Sequence, residues 1–375
     1  MFAKFAPNRI EMVRKAYNPA GFLERFVAVE LRAASLIFGV AVLGVLMATF
    51  SDFSIHNSFT ELISEIAIGG FFLLVGLELR REFASGVLSG STLKVASAAT
   101  IGGMATPALI FVSFAPESAR NGWVAVVATD IALASAVTVL GGFRREMRVL
   151  LLTVAVLDDL GGVLALATTG KSPKLLFIGA VVLVVAFFAW AIRKFNFGVL
   201  VTLGTTAVVV WLMLQAGMHP SLGAFAVGFV VPHFDPDNPS VAERTQEAIH
   251  PYVAVIFLPA FVFLHTLIPV RIPDGAPANL ILITIAAIVI GKTLGIGGAL
   301  AVTRKISNIS YFEALAVGFA AAAALTVALI GVEATLADSP SGDSVKLGIL
   351  VATSIAVVLG IVAGRLAKTT RRELT

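Results

Sequence analysis

Two adjacent carboxylates stand inside an apolar stretch, in the run Leu157-Asp158-Asp159-Leu160-Gly161-Gly162. An ionisable group at the centre of a bilayer costs at least about 2.5–3.5 kcal/mol on insertion scales, so it marks a site with a use. Neighbouring residues on a helix point about 100° apart, so both carboxylates border one cavity without sharing one narrow seam. Two such groups in low dielectric resist simultaneous ionisation. A site that trades protons for cations near neutral pH needs that property. Carboxylates, the hydroxyl of Thr129 and freed backbone carbonyls also supply the oxygen ligands that hard cations such as Na+ or Li+ prefer.

Lys292 is the second buried charge, midway along the apolar stretch 279–303. A lone buried ammonium must pair or lose its proton, and Asp158 and Asp159 are the available partners. Gly291 and Gly295, four residues apart, permit close approach of a neighbouring helix. The Gly-Lys-Thr string is not a phosphate-binding loop, because Ala286 stands where the first glycine of that motif is required.

Asp130 is the third, in Ala128-Thr129-Asp130-Ile131-Ala132. Thr and Asp favour local bonds to backbone over helix, so this is a place where a helix can be interrupted. An acidic group there offsets the positive end of a helix. A third cation ligand and a plain helix–helix hydrogen bond are the other readings.

The remaining ionisable residues are less central. Glu65 and Glu78 bracket one span, and Glu82 follows in Glu78-Leu79-Arg80-Arg81-Glu82. This is either an interfacial charge cluster or an acidic rim that attracts cations and responds to pH. His219, His250 (preceded by Glu247) and His265 titrate near neutrality if solvated. Packing histidines are an equal reading.

These residues must be positioned by membrane helices. Of 375 residues, 58% are hydrophobic and 13% are charged, against about 25% charged in soluble proteins. That excludes a soluble domain, a disordered chain and a coiled coil. With zero cysteines, thiol chemistry and cysteine-ligated metals are excluded. The net charge of +4 is dispersed, so no nucleic-acid partner is expected. Twelve apolar stretches have the length of a spanning helix. They are roughly 30–50, 62–79, 95–115, 122–142, 149–169, 174–192, 197–214, 219–233, 252–270, 279–303, 311–331 and 346–366. The eighth is short and reads as tilted or partly spanning. Residues 1–29 form a basic interfacial segment, 30–366 the transmembrane body and 367–375 a tail. No cleavable signal is legible.

Of the 27 Lys and Arg, five lie on one side of the membrane (Arg120, Lys171, Lys174, Arg271 and Lys346) and Lys292 lies inside it. All the others fall on the side of the termini. The positive-inside rule makes both termini cytoplasmic, in a multi-pass cell-membrane protein.

Several stretches resemble the NhaA family of sodium/proton antiporters. They are Gly70-Phe71-Phe72-Leu73-Leu74-Val75-Gly76-Leu77-Glu78, Ile101-Gly102-Gly103-Met104 with Pro107-Ala108-Leu109, Ala128-Thr129-Asp130-Ile131-Ala132, Asp158-Asp159-Leu160-Gly161, and Ile290-Gly291-Lys292 with Leu294-Gly295-Ile296. The resemblance runs in order from about residue 25 to 365. It implies an all-helical fold of twelve spans, with inverted repeats in spans 3–5 and 10–12. Spans 4 and 11 are then broken and cross at the midplane.

The same resemblance makes Asp159 the main cation ligand and pairs Asp158 with Lys292. Thr129, Asp130 and Thr326 fall at the helix crossing. Glu78 and Glu82 match positions of the family's pH-responsive region and Glu65 an acidic position within span 2; His219, Glu247 and His250 join the expected pH-responsive set on their own chemistry. The function implied is electrogenic exchange of Na+ or Li+ for H+. It needs no cofactor, uses the lipid bilayer, and includes a homodimer contact through a panel beside the mobile core.

The sequence departs from the family pattern in four places, one being a short extracellular hairpin after span 1, where the family forms its dimer contact. Ala320 to Ala324 fill the region of the break in span 11. Alanine is the best helix former, so a shortened or absent break is expected there. His265 stands where asparagine is usual, and Thr293 where proline is usual. Three alternatives remain: a sodium-coupled symporter of an organic solute, a transport-inactive regulatory homologue, and an intramembrane aspartyl protease. The protease would draw its two carboxylates from separate helices, and no second motif is present.

Overall fold

A computed structural model gives the fold. It describes residues 19–51, 55, 57–85, 90–167, 174–195, 198–232, 240–271, 275, 277, 279–304, 309–337 and 339–374. Most of the basic segment 1–29 therefore lies outside the described residues, as do the side chain of Glu82 and the last residue of the tail. The described elements are all helical. They are α1 (Pro19–Ser51), α2 (Ser58–Ser85), α3 (Gly90–Phe114), α4 (Trp123–Val126), α5 (Ile131–Leu140), α6 (Arg145–Ala167), α7 (Leu175–Phe195), α8 (Val199–Ala216) and α9 (Pro220–Val230). They continue with α10 (Val241–His265), α11 (Leu280–Val302), α12 (Tyr311–Ala321), α13 (Thr326–Leu336) and α14 (Pro340–Leu374). A 3-10 turn, Glu117–Gly122, leads into α4.

Polarity is inverted relative to a soluble protein. Leu175, Leu176, Leu183, Phe187 and Leu200 are exposed, whereas Asp130, Asp158, Asp159 and Lys292 are buried. Contiguous exposed apolar surface on this scale is stable against lipid and not against water. Nine described helices are long and apolar enough to cross a membrane, or up to eleven if each of two bent pairs forms one span. The eighth stretch expected from sequence, 219–233, is the short helix α9. Its 11 residues rise only about 16 Å, roughly half a hydrocarbon core.

Two other boundaries move. The ninth span was expected to begin near 252, but α10 begins at Val241. Ser240 and Glu243 form a reciprocal capping box there, which satisfies two otherwise orphaned backbone N–H groups. The twelfth span extends at both ends into the 35 residues of α14.

Both bent pairs are helices interrupted by a short break. The pair Glu117–Val126 and Ile131–Leu140 bends by 56°, and Tyr311–Ala321 and Thr326–Leu336 bend by 53°. The second break corrects the expectation drawn from the alanine run. Ala320 to Ala324 are fully buried, and the helix stops at Ala321 within them. Tertiary partners override propensity here. Ala321 O accepts from Thr129 Oγ1 at 3.0 Å, Ala323 O from Asp130 N at 2.9 Å, and Ala324 O from Thr353 Oγ1 at 2.6 Å. The methyl side chains admit the other break at close range, and three of the freed carbonyls meet donors from Thr129, Asp130 and Thr353.

Candidate functional site

The two breaks meet, and Asp130 joins them. It is the N-cap of α5, and its Oδ1 accepts from Leu133 N at 3.2 Å. Its Oδ2 accepts from Thr326 N at 3.1 Å and from Thr326 Oγ1 at 2.6 Å. One carboxylate thus caps α5 and α13 together, with a negative charge facing two positive helix ends.

Lys292 serves the opposite end of the first break. It closes a π-helical stretch, Ala286–Lys292, within α11. Such an irregular turn changes the helical register and is frequent at functional sites. The ammonium has three N–H groups and three acceptors: Ala128 O, Thr129 Oγ1 at 2.6 Å and Asp158 Oδ2 at 2.9 Å. Ala128 O lies just beyond the C-terminal end of α4, where a positive charge is favoured. Lys292 and Asp158 side chains are wholly buried. Gly295 on α11 and Gly102 on α3 lie backbone against backbone, and a Cβ on either would enter the other's peptide. Lys292 lies three residues before this contact on α11.

Asp158 and Asp159 differ sharply in their surroundings. Asp158 Oδ2 takes the ammonium and also the Thr129 hydroxyl at 2.5 Å. That hydroxyl has one proton, so it donates to Asp158 or to Ala321 O at any moment. Asp158 Oδ1 is buried without a hydrogen-bond partner. Asp159 is buried as well, yet it makes no hydrogen bond among the described residues. Asp158, Glu78, Asp130 and Lys292 all lie within its range of charge interaction.

The structure therefore gathers Thr129, Asp130, Asp158, Lys292 and Thr326 into one network, with Asp159 beside it. Glu78 borders the site and pairs with Arg81 at 3.2 Å. His219 does not join it. This residue is the N-cap of α9, with Nδ1 2.7 Å from Ser221 Oγ. Glu247 is exposed on α10 and His250 lies one turn from it. Among the described residues no group of three or more His, Cys, Asp or Glu converges as a metal centre.

Sequence reasoning missed three features. Thr353, which holds the second break through Ala324 O, is a buried polar residue in an apolar span. Arg144 grips Glu313 with two nitrogens, Nε at 2.6 Å and Nη2 at 2.9 Å. His265, Glu333 and Lys346 form a further charged cluster. Only Thr353 carried a signal in the sequence, its polarity within a span.

Residues 32–363 match the family described as Na+/H+ antiporter 1. The Na(+)/H(+) antiporter NhaA of Shigella dysenteriae serotype 1 (strain Sd197) is 31% identical, over 90% of this chain and 96% of that protein. The Na(+)/H(+) antiporter NhaA of Escherichia coli O139:H28 (strain E24377A / ETEC) gives the same figures. Among solved structures, the sodium proton antiporter MjNhaP1 from Methanocaldococcus jannaschii at pH 8 superposes with a TM-score of 0.59. It has 16% identity, over 93% of this chain and 98% of that one, and so attests the fold alone.

Proposed function

The chain belongs to the Na+/H+ antiporter 1 family, and from that premise we propose that Asp159 is the cation ligand, with Asp158 and Lys292 as the charge pair that couples cation to proton. The protein is a multi-pass membrane Na+/H+ antiporter. The observation that carries the site assignment is the contrast between the two aspartates. Asp158 is held by Lys292 and Thr129, whereas Asp159 is equally buried and makes no hydrogen bond among the described residues. A desolvated carboxylate with open oxygens is either protonated or charge-compensated. A proton and a cation are alternative compensators, and one site that takes either gives exchange without a separate transmission device.

In this reading Na+ or Li+ binds Asp159, draws in Asp158, and draws Asp158 away from the ammonium. Thr129 and freed carbonyls add oxygens. Protons leave as the cation arrives, and more protons than sodium ions move, so exchange is electrogenic. Asp130 and Thr326 keep the crossing intact while the site faces each side in turn. Twelve membrane segments, with α9 counted, and inverted repeats at spans 3–5 and 10–12 complete the architecture. Both termini are cytoplasmic, and two copies pair through the panel beside the core. Glu78 and Glu82, with Glu247, His250 and His219, set the pH response. No cofactor takes part. The only sequence feature favouring a transport-inactive homologue was a continuous span 11, and that span is bent by 53° at a break.

The test is proton movement in inverted vesicles from a host lacking its own antiporters. Sodium or lithium is added from about pH 6.5, the ordinary histidine value, to about pH 9. Cation addition should release protons from the lumen, and Asp159→Asn should abolish the response. Unchanged exchange in Asp159→Asn would overturn the assignment.

A further inference from the structure

At the end of the molecule away from Arg365 and Lys368, three elements meet in a cluster outside the ion site. His265 closes α10, Glu333 stands on α13 and Lys346 lies near the start of α14. The His265 ring stacks on Phe261 with centroids 4.1 Å apart. Its Nδ1 lies 2.8 Å from Phe261 O, and its Nε2 lies 3.4 Å from Glu333 Oε2. Both ring nitrogens therefore face acceptor oxygens. A neutral imidazole has one N–H, so it donates to one oxygen and turns a lone pair toward the other. Both contacts become favourable only with one further proton, on the imidazole or on the carboxylate. Glu333 Oε2 has a second cation 3.8 Å away, Lys346 Nζ. The His265 and Lys346 side chains are 12% exposed and Glu333 is 33% exposed, so salt screens the cluster in part.

Among the described residues, Glu61 and Glu65 on α2, which packs against α10, are exposed to solvent. His219 at the cap of α9 lies within charge-interaction range of Glu333. Asp343 precedes Lys346 by one turn on α14. Glu117 and Arg120, on the 3-10 turn packed against α13, and Arg271 beyond α10, are exposed to solvent. Glu333 lies two turns beyond Thr326, on the half-helix that Asp130 caps.

We infer that His265 and Glu333 form a proton-dependent latch between α10 and the half-helix α13. With the extra proton in place, Glu333 ties α13 to α10. Without it, an imidazole lone pair faces one of the two oxygens and the tie is weaker, while Lys346 on α14 stays beside Glu333. The half-helix starts at the crossing, so holding it against α10 opposes opening of the Asp159 site toward this face. Protons on this face are then both cargo and a brake. The inference rests on the alternating-exposure reading above and extends it to regulation from the side opposite the basic tail.

The experiment uses right-side-out vesicles loaded with radioactive sodium at fixed internal pH, with external pH varied from about 6 to about 8.5. His265→Gln should export sodium several-fold faster than the wild type at the acidic end and at the same rate at the alkaline end. His265→Arg, permanently charged, should be slowed at the alkaline end too. A constant ratio between His265→Gln and wild type across external pH would overturn the latch. Should the variants prove inactive, thermal unfolding in detergent decides instead, through the double-mutant cycle with Glu333→Gln. The latch requires coupling at about pH 6 that disappears at about pH 8.5. Equal coupling at both, or none at the acidic end, contradicts it. Exchange that survives Asp159→Asn would defeat the site reading, while the cycle would still report on the latch.

Discussion

The Asp130 carboxylate and Thr326 join two interrupted helices whose sequences lie 196 residues apart. Oδ2 accepts both the backbone N–H and the hydroxyl of Thr326, and Oδ1 accepts from Leu133 N. A half-helix starting inside a membrane leaves N–H groups that water cannot reach. One buried side chain satisfies donors at two such starts and places its charge at both positive ends.

Removing that side chain should therefore destabilise more than an ordinary cap. Loss of a single N-cap costs about 1 kcal/mol, and Asp130→Ala loses two caps and a buried charge. The expected cost is on the order of 2–4 kcal/mol. Asp130→Asn keeps acceptor oxygen and loses charge, so it should fall between Ala and wild type. Thr326→Val removes the hydroxyl alone and should cost about 1 kcal/mol. Unfolding midpoints of the three purified proteins give the order, and a Thr326→Val cost equal to that of Asp130→Ala would contradict the shared-cap account.

The Lys292–Asp158 pair should show strong non-additivity. Breaking a buried pair by removing one partner costs about 3–5 kcal/mol, because the other charge is stranded. Lys292→Met and Asp158→Leu should each be severely destabilised, and the double substitution should recover much of the loss. Thr129→Val should weaken the pair without stranding a charge. Additive losses in the double variant would mean that the two residues do not depend on one another.

The buried charges were legible because they interrupt apolar runs, where their cost makes them conspicuous. The first break was legible in Thr129-Asp130, whose side chains compete for backbone bonds. The second was not. Helix propensity weighs only the chain's own terms, and it favours a continuous helix through Ala320 to Ala324. What stops the helix is supplied by Thr129, Asp130 and Thr353, all remote in sequence. The start of α10 was legible and missed: Ser240-Val241-Ala242-Glu243 has the capping-box spacing ahead of its apolar run. The His265–Glu333 contact joins residues on separate helices, and no local pattern announces it.

The alanine run should act as a packing constraint. Ala322 and Ala323 have no exposed surface, so added methylenes have no space to enter. Ala323→Leu should cost about 1–3 kcal/mol by overpacking and should displace the carbonyl that Asp130 N reaches. Ala323→Gly should be tolerated better, since it keeps the break and adds no volume. Expression, unfolding midpoint and sodium-driven proton release would be compared, with Ala323→Leu losing all three ahead of Ala323→Gly.

The close approach of α3 and α11 makes the last prediction. Gly295 and Gly102 leave no space for a Cβ between them, while Gly298 on the same helix has open space around it. Gly295→Val must push α11 away from α3, and the chain carries Lys292 with it, three residues back. The Lys292–Asp158 bond of 2.9 Å lengthens, and charge-assisted bonds weaken steeply with such displacement. Gly295→Val should therefore lose sodium-driven proton release although Asp158, Asp159 and Lys292 are all retained. Gly298→Val, facing open space, should transport like the wild type at equal expression. Equal transport by both variants would show that the glycine contact does not set the position of Lys292.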